Sequence, residues 1–281
     1  MGVYVVTGSA SGMGREVANK LSDAGHTVIG VDVKQADVVA DLSTAEGRRT
    51  AAEGVLALAD QLDGAVLAAG LGPGQGRDRL TSIAQVNYFG VVDLLAAWRP
   101  ALAAAQRAKV VVFSSNSTTT VPVVPNRSVR AFLAGDAERA IRSTRLFGRN
   151  ASSILYASSK IAVTRWVRRE AVKSEWAGAG IRLNALAPGA IMTPLLQEQL
   201  STPKQEGVVR SFPIPMGGFG DAGQLGDWAC FMLSDAADFL CGSVIFVDGG
   251  SDAYFRANDW PKPVPARRLW SYFRLFRAGG R

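Results

Sequence analysis

Val3-Tyr4-Val5-Val6-Thr7-Gly8-Ser9-Ala10-Ser11-Gly12-Met13-Gly14 decides the fold. An apolar run ends at Thr7 and Gly8. From Gly12 to Ala24 the spacing turns helical, with Val17, Ala18 and Leu21 on one side. The unit is a strand, a glycine-rich turn and a helix. Glycines at 8, 12 and 14 permit a tight turn, a near approach of backbone to a pyrophosphate, and close helix–strand packing. Ser11 and Met13 belong to the same turn, where N–H groups at the helix start suit phosphate charge.

Outward from this turn, Gly25 ends the helix and Thr27 to Val31 forms a second apolar run that stops at Asp32, eighteen residues beyond Gly14. A carboxylate there can accept bonds from the adenosine ribose hydroxyls. It would repel a 2′-phosphate, although Arg15 offsets part of that charge. The reading favours NAD over NADP.

The cycle then repeats. Helical spacing near 45–61 leads to a strand at 64–68, and a long apolar segment at 83–104 carries Pro100, where a bend or break is expected. Strands at 109–113, 181–187 and 243–247 alternate with helices at 158–174 and 223–233. The strands lack clean polar alternation, as parallel strands covered on both faces do. The fold class is α/β: a doubly wound, mostly parallel sheet with helices on both faces. Residues 1–251 read as one catalytic domain. It contains an insertion at 118–153 with a helical stretch at 136–147, and a basic aromatic extension follows at 252–281.

Composition excludes several classes. The chain is 48% hydrophobic and 20% charged, enough apolar matter for a large core. A single histidine, His26, and two cysteines, Cys230 and Cys241, argue against a metal site or a disulfide scaffold, and both thiols are expected to be buried and inert. The start of the chain has no secretory pattern and no twenty-residue apolar run follows, so a cytoplasmic location is expected. Of the formal +7, the extension supplies +5, from seven basic residues against Asp252 and Asp259. The nearly balanced body speaks against nucleic-acid binding.

Tyr156 and Lys160 stand four apart on one helix, so they share a face. An ammonium beside a phenol favours the phenolate and lowers its pKa toward a useful range. Ser114 and Ser115 follow the strand at 109–113, where a hydroxyl can hold a substrate oxygen.

Taken in order, several marks resemble the short-chain dehydrogenase/reductase family over residues 3–250. They are Gly8, Gly12 and Gly14; Asp41-Leu42; Ala69-Gly70; Asn87; Ser115; Tyr156 with Lys160; Pro188-Gly189 with Thr193; and Asp248-Gly249-Gly250. The forty-one positions from Ser115 to Tyr156, and the stretches 40–48, 70–73 and 86–90, are similar to those of bacterial members acting on steroid-like and aromatic ketones.

That resemblance implies a reversible NAD-dependent alcohol dehydrogenase/carbonyl reductase. It makes Tyr156 the acid/base, Lys160 its partner and the ribose holder, and Ser115, rather than Ser114, the anchor of the reacting oxygen. Asn87 supports a water-mediated proton path. Asp41 and Leu42 border adenine, Ala69 and Gly70 its ribose side, and Pro188, Gly189, Ile191 and Thr193 the nicotinamide. Ala68 stands where many members carry Asn, which removes one polar group.

Leu71, Pro73, Leu195 and Leu196 are expected to line a pocket for an alcohol or ketone. The insertion is expected to form a homodimer surface, with a homotetramer as the alternative. For the extension, packing on the body or a partner ranks ahead of a substrate cap, and membrane contact comes last. The competing functions are a noncatalytic dinucleotide-binding regulator and a reductase of an acyl-carrier or sugar substrate.

Overall fold

In the computed structural model, residues 1–201, 203–259 and 264–278 are described, without the side chains of residues 77, 195, 198, 199, 203–205, 208 and 276–278. Among the described residues, nine strands follow as β1 Val3–Thr7, β2 Thr27–Asp32, β3 Val38–Val39, β4 Gly64–Leu67, β5 Lys109–Phe113, β6 Arg182–Pro188, β7 Ile191–Met192, β8 Gly220–Asp221 and β9 Val244–Val247. Seven of them form one sheet in the order β3-β2-β1-β4-β5-β6-β9, every neighbouring pair parallel. The order reverses between β1 and β4. In such sheets ligands bind in the crevice beyond the carboxyl ends of the strands at the reversal.

Alternation along each strand sends side chains to two separate cores. Val5, Val110 and Val112 face a cluster containing Leu94, Leu95, Trp98 and Leu155, while Val6, Val111 and Phe113 face Val17, Leu21, Leu225 and Met232. The first layer is built by α2 Ala45–Leu58, α3 Arg77–Ala84, α4 Gly90–Ala104 and α8 Ala151–Glu170, around which α5 Ser117–Thr120, α6 Asn126–Leu133 and α7 Ala137–Arg142 are set. The second comes from α1 Gly12–Asp23 and α11 Ala222–Leu233, which pack against each other. Beyond them lie α9 Pro194–Leu200, α10 Pro203–Arg210, α12 Ser251–Arg256 and α13 Leu269–Ala278. With both faces covered, β4 and β5 are buried at every position, which explains the apolar runs Gly64–Leu67 and Val110–Phe113; the buried Lys109 that opens β5 pairs with Asp235 and Asp238.

Pro100 does not break the helix as expected; it sits within α4. Pro100 and Ala96 are both on the exposed side, where water can serve the carbonyl that loses its partner. The irregularity lies elsewhere, in a π turn at Gln85–Phe89 between α3 and α4. The run Asp78–Ala104 is apolar and long enough by composition to cross a membrane. Ile83, Leu94, Leu95, Trp98 and Leu102 on it are fully buried in the core.

Where one helical stretch was expected at 136–147, the insertion has α7 over Ala137–Arg142, preceded by α6. Ser128 on α6 donates to the Ala140 carbonyl on α7 at 3.0 Å, and a 3₁₀ segment, Arg145–Asn150, leads into α8. Its anchor is Phe132, buried with its ring 5.2 Å from Tyr88. Leu146 points almost wholly into solvent. The thiol expectation also needs correcting. Cys230 is half-buried and Cys241 is exposed, its Sγ 3.3 Å from the Ala171 carbonyl, because the turn before β9 lies at the protein edge. His26 is structural: Nδ1 accepts from the Gly2 N–H at 3.1 Å and the ring meets Tyr4 edge-on.

Candidate active site

The turn after β1 is as tight as its sequence requires. A Cβ on Gly14 would fall 2.2 Å from the Gly8 carbonyl oxygen, and Gly8 and Gly12 both have positive φ, 71° and 55°. One Asp32 oxygen accepts from Ala10 N–H at 3.0 Å and the other from Lys34 N–H at 3.3 Å, which ties the carboxylate to the glycine turn. Asp41 closes a short turn onto Ser43 N–H at 2.9 Å, and Thr44 caps α2. The Thr7 hydroxyl takes the Ala69 N–H at 3.1 Å, holding the chain as it leaves β4 beside Ala68.

These groups surround a cavity of about 470 Å³ lined by Gly8, Ser11, Gly12, Met13, Gly14, Asp32, Asp41, Leu42, Ala69, Gly70 and Thr193. Sequence reasoning missed Val31, Val33, Ala40, Ser43, Ser82 and Val86 on its wall. The apolar ones lie in segments that otherwise read as strand or core. The wall fits a dinucleotide: glycine backbone where phosphates would lie, apolar slots at Leu42 and Val33, and one carboxylate at the end of β2.

A second cavity of about 330 Å³ opens past the carboxyl ends of β5 and β6. Ser115, Tyr156, Pro188, Gly189, Ile191, Pro73 and Leu196 line it, and Met13 and Thr193 belong to both cavities. The four residues expected around a nicotinamide thus stand at the junction or on its far side. Leu71, expected on the substrate side, lines the first cavity instead. Its backbone is clamped from both sides by Asn87, whose Oδ1 accepts from Leu71 N–H at 2.8 Å and whose Nδ2 donates to the Leu71 carbonyl at 2.9 Å. The side chain of Leu195 lies outside the described residues. Thr120, Val209 and Phe212 complete the second wall. Of these, Val209 and Phe212 come from a segment in which no motif marks them.

Ser114 and Ser115 part company at the end of β5. Ser114 Oγ lies 2.5 Å from Thr164 Oγ1 on α8, whereas Ser115 Oγ accepts from Ser117 N–H at 3.1 Å and faces the Tyr156 phenol. One turn along α8, Lys160 is buried and donates to the Phe113 carbonyl at 2.7 Å. A Cβ on Gly70 would lie 3.5 Å from Asn87 Oδ1 and 3.7 Å from Lys160 Nζ, so that glycine separates both groups from the first cavity.

Burial sets the ionisation of the pair. Desolvation pulls the Lys160 ammonium down to about 8 from its ordinary 10.5. Burial raises the Tyr156 phenol above its ordinary 10, and the Ser115 hydroxyl works the other way. The expected lowering of the tyrosine by lysine is therefore corrected: in the protein alone, desolvation wins.

Residues 2–126 match the short chain dehydrogenase family model, and 139–252 match one described as enoyl-(acyl carrier protein) reductase. The 3-alpha-hydroxysteroid dehydrogenase/carbonyl reductase of Comamonas testosteroni is 38% identical over 261 residues, spanning 92% of this chain and 100% of the relative. The chain belongs to the short-chain dehydrogenase family. It is therefore an enzyme, an oxidoreductase that uses a nicotinamide dinucleotide. The solved 3-alpha-hydroxysteroid dehydrogenase of Pseudomonas sp. B-0831, complexed with NADH, superposes on this dehydrogenase with a TM-score of 0.84 at 42% identity, covering 92% of this chain and 100% of that one. A more distant relative, cis-4-hydroxycyclohexanecarboxylate dehydrogenase of Sinomonas cyclohexanicum, is 28% identical over 89% of this chain and 96% of its own length.

Proposed function

We propose that this dehydrogenase reversibly oxidises a secondary alcohol to a ketone with NAD(H), on a bulky cyclic, steroid-like or aromatic substrate. The observation that carries the reading is the junction of the two cavities. The glycine turn lies on one side, the Ser115 and Tyr156 hydroxyls lie on the other, and Met13 and Thr193 are shared between them.

Bound nicotinamide supplies or accepts the hydride. The protein supplies position and a proton. In reduction the Tyr156 hydroxyl gives its proton to the carbonyl oxygen, and in oxidation its phenolate takes the proton back. Ser115 donates to the same oxygen and stabilises the negative charge that gathers there. The Lys160 ammonium favours the phenolate and reaches toward the nicotinamide ribose past Gly70. Asn87 holds the Ala69–Leu71 wall and lines up a water path to Lys160. Asp32 selects ribose hydroxyls, Asp41 and Leu42 border adenine, and Pro188, Gly189, Ile191 and Thr193 seat the nicotinamide. Pro73, Leu196 and Phe212 offer an apolar bed suited to rings rather than to sugars.

The test pairs a ketone screen with Tyr156→Phe. Steroid, monocyclic and aryl ketones should consume NADH, and sugar ketones should not. The variant should lose roughly 10²- to 10⁴-fold in turnover while binding NADH as the parent does. Turnover within tenfold of the parent would remove Tyr156 from the chemistry, and activity confined to sugars or acyl-carrier ketones would overturn the substrate class. A homodimer joined through the insertion is part of the same proposal; light scattering that gives a concentration-independent monomer rejects it.

A further inference from the structure

Among the described residues, the final helix, α13, is an amphipathic segment beyond the part of the chain that the family models match. The family models end at residue 252, and relatives matched over 100% of their own length leave part of this chain uncovered. Among the described residues, neither core cluster reaches past Val247. The start of the extension does pack, since the Phe255 ring lies 5.9 Å from Phe212. The expected packing on the body is thus met by α12 and not by α13. On α13, Trp270 is 71% exposed, Leu275 65%, Phe273 58% and Leu269 42%. No described residue of the extension lines either cavity.

The spacing of Leu269, Tyr272, Phe273 and Phe276 is that of one apolar helical stripe flanked by Trp270, with Ser271, Arg274 and Leu275 on the other side. Around that stripe the charge has one sign. From Trp260 to Arg281 there are six basic residues and no acidic one, while the body through Ser251 carries a net charge of only +2.

We propose that α13 is an interfacial anchor that lays this stripe on an anionic lipid bilayer. At ten residues it is about 15 Å long, half the hydrocarbon thickness, so it lies in the surface and does not span it. Exposed Trp and Phe are suited to the headgroup boundary, and Arg274 on the opposite side with Arg267 and Arg268 at the start of the helix meet lipid phosphates. A second copy is a poorer occupant: two-fold pairing of the stripe would bring like charges together. A nucleic acid is poorer too, because the basic surface stops at the extension and does not continue as a track over the near-neutral body.

The test is co-sedimentation of the full-length chain with phosphatidylcholine vesicles, with and without phosphatidylglycerol, beside a chain ending at Asp259. The full-length chain should pellet with anionic vesicles only, and less so as salt rises. The shortened chain should stay in solution and keep its NADH turnover. Arg267→Gln, Arg268→Gln and Arg274→Gln together should weaken partitioning roughly a hundredfold, about fivefold for each charge. Trp270→Ser with Phe273→Ser should abolish binding without loss of turnover. Equal pelleting of both chains, equal binding to neutral vesicles, or a lasting dependence on the extension for mass in light scattering without vesicle binding would each overturn the proposal. So would binding of duplex DNA in place of vesicles. None of these readouts depends on which ketone is reduced.

Discussion

A methyl group at Gly14 has no room in this fold. It would sit 2.2 Å from the Gly8 oxygen, 2.7 Å from the Gly8 carbonyl carbon and 3.1 Å from the Thr7 oxygen. Carbon and oxygen rarely approach within about 3.3 Å, so Gly14→Ala must open the turn by roughly 1 Å. Those neighbours are backbone and cannot rotate away. Overpacking of this kind costs about 1–3 kcal/mol, which lowers the melting temperature by roughly 2–12 °C in a chain of this size. The same displacement moves the N–H groups of the glycine turn, proposed above to hold the pyrophosphate, so NADH affinity should fall roughly tenfold or more. Fluorescence titration of NADH and thermal melts measure the two effects.

Gly25→Ala is the control. Gly25 has φ of 82° at the other end of α1, with nothing within 4 Å of an added Cβ. It should lose about 1–2 kcal/mol of stability through backbone strain and leave NADH affinity unchanged. The reasoning fails if Gly14→Ala binds NADH within twofold of the parent at an unchanged melting temperature, or if Gly25→Ala weakens binding as much.

Asp32→Asn should cut the preference for NADH over NADPH roughly ten- to hundredfold, read as the ratio of kcat/KM values; an unchanged ratio would show that the carboxylate does not choose the cofactor. Lys160→Met should abolish turnover yet melt higher than the parent at pH 7. The folded lysine, at about 8, holds fewer protons than the unfolded one at 10.5, so parent stability rises with pH across that window, by on the order of 3 kcal/mol. The advantage of the variant should close by pH 10.5, and a variant less stable than the parent at pH 7 refutes the burial penalty. Phe212→Ala should raise KM for bulky ketones roughly tenfold with NADH affinity unchanged; loss of NADH binding instead would place Phe212 on the cofactor side.

How far the sequence could be read depended on the range of the contacts involved. The doubly wound parallel sheet followed from apolar runs and their alternation with helices, because parallel strands need crossovers and crossovers need helices; the order of its strands came only with the folded chain. The glycine turn, Asp32 and the Tyr156–Lys160 spacing are local patterns, and the folded chain sets the turn and Asp32 on one cavity and Tyr156 on the next. Leu71 lies on the first cavity rather than the second, its backbone clamped by Asn87, sixteen residues away and seated in a π turn that no composition signals. Phe212 carries no motif at all, and only its position across the cavity from Tyr156 makes it a wall.

The sequence by itself determined the sheet, the glycine turn and the placing of Tyr156 and Lys160 one turn apart on one helix, since each is written in neighbouring residues whose spacing the backbone period converts directly into a shared face or turn. The tertiary structure decided what distant segments do to one another: Ser115 rather than Ser114 faces the phenol, Lys160 and Tyr156 are shifted by burial, Pro100 is harmless, and α13 is left in solvent. Desolvation and exposure depend on everything packed around a group, and no local spacing contains that sum.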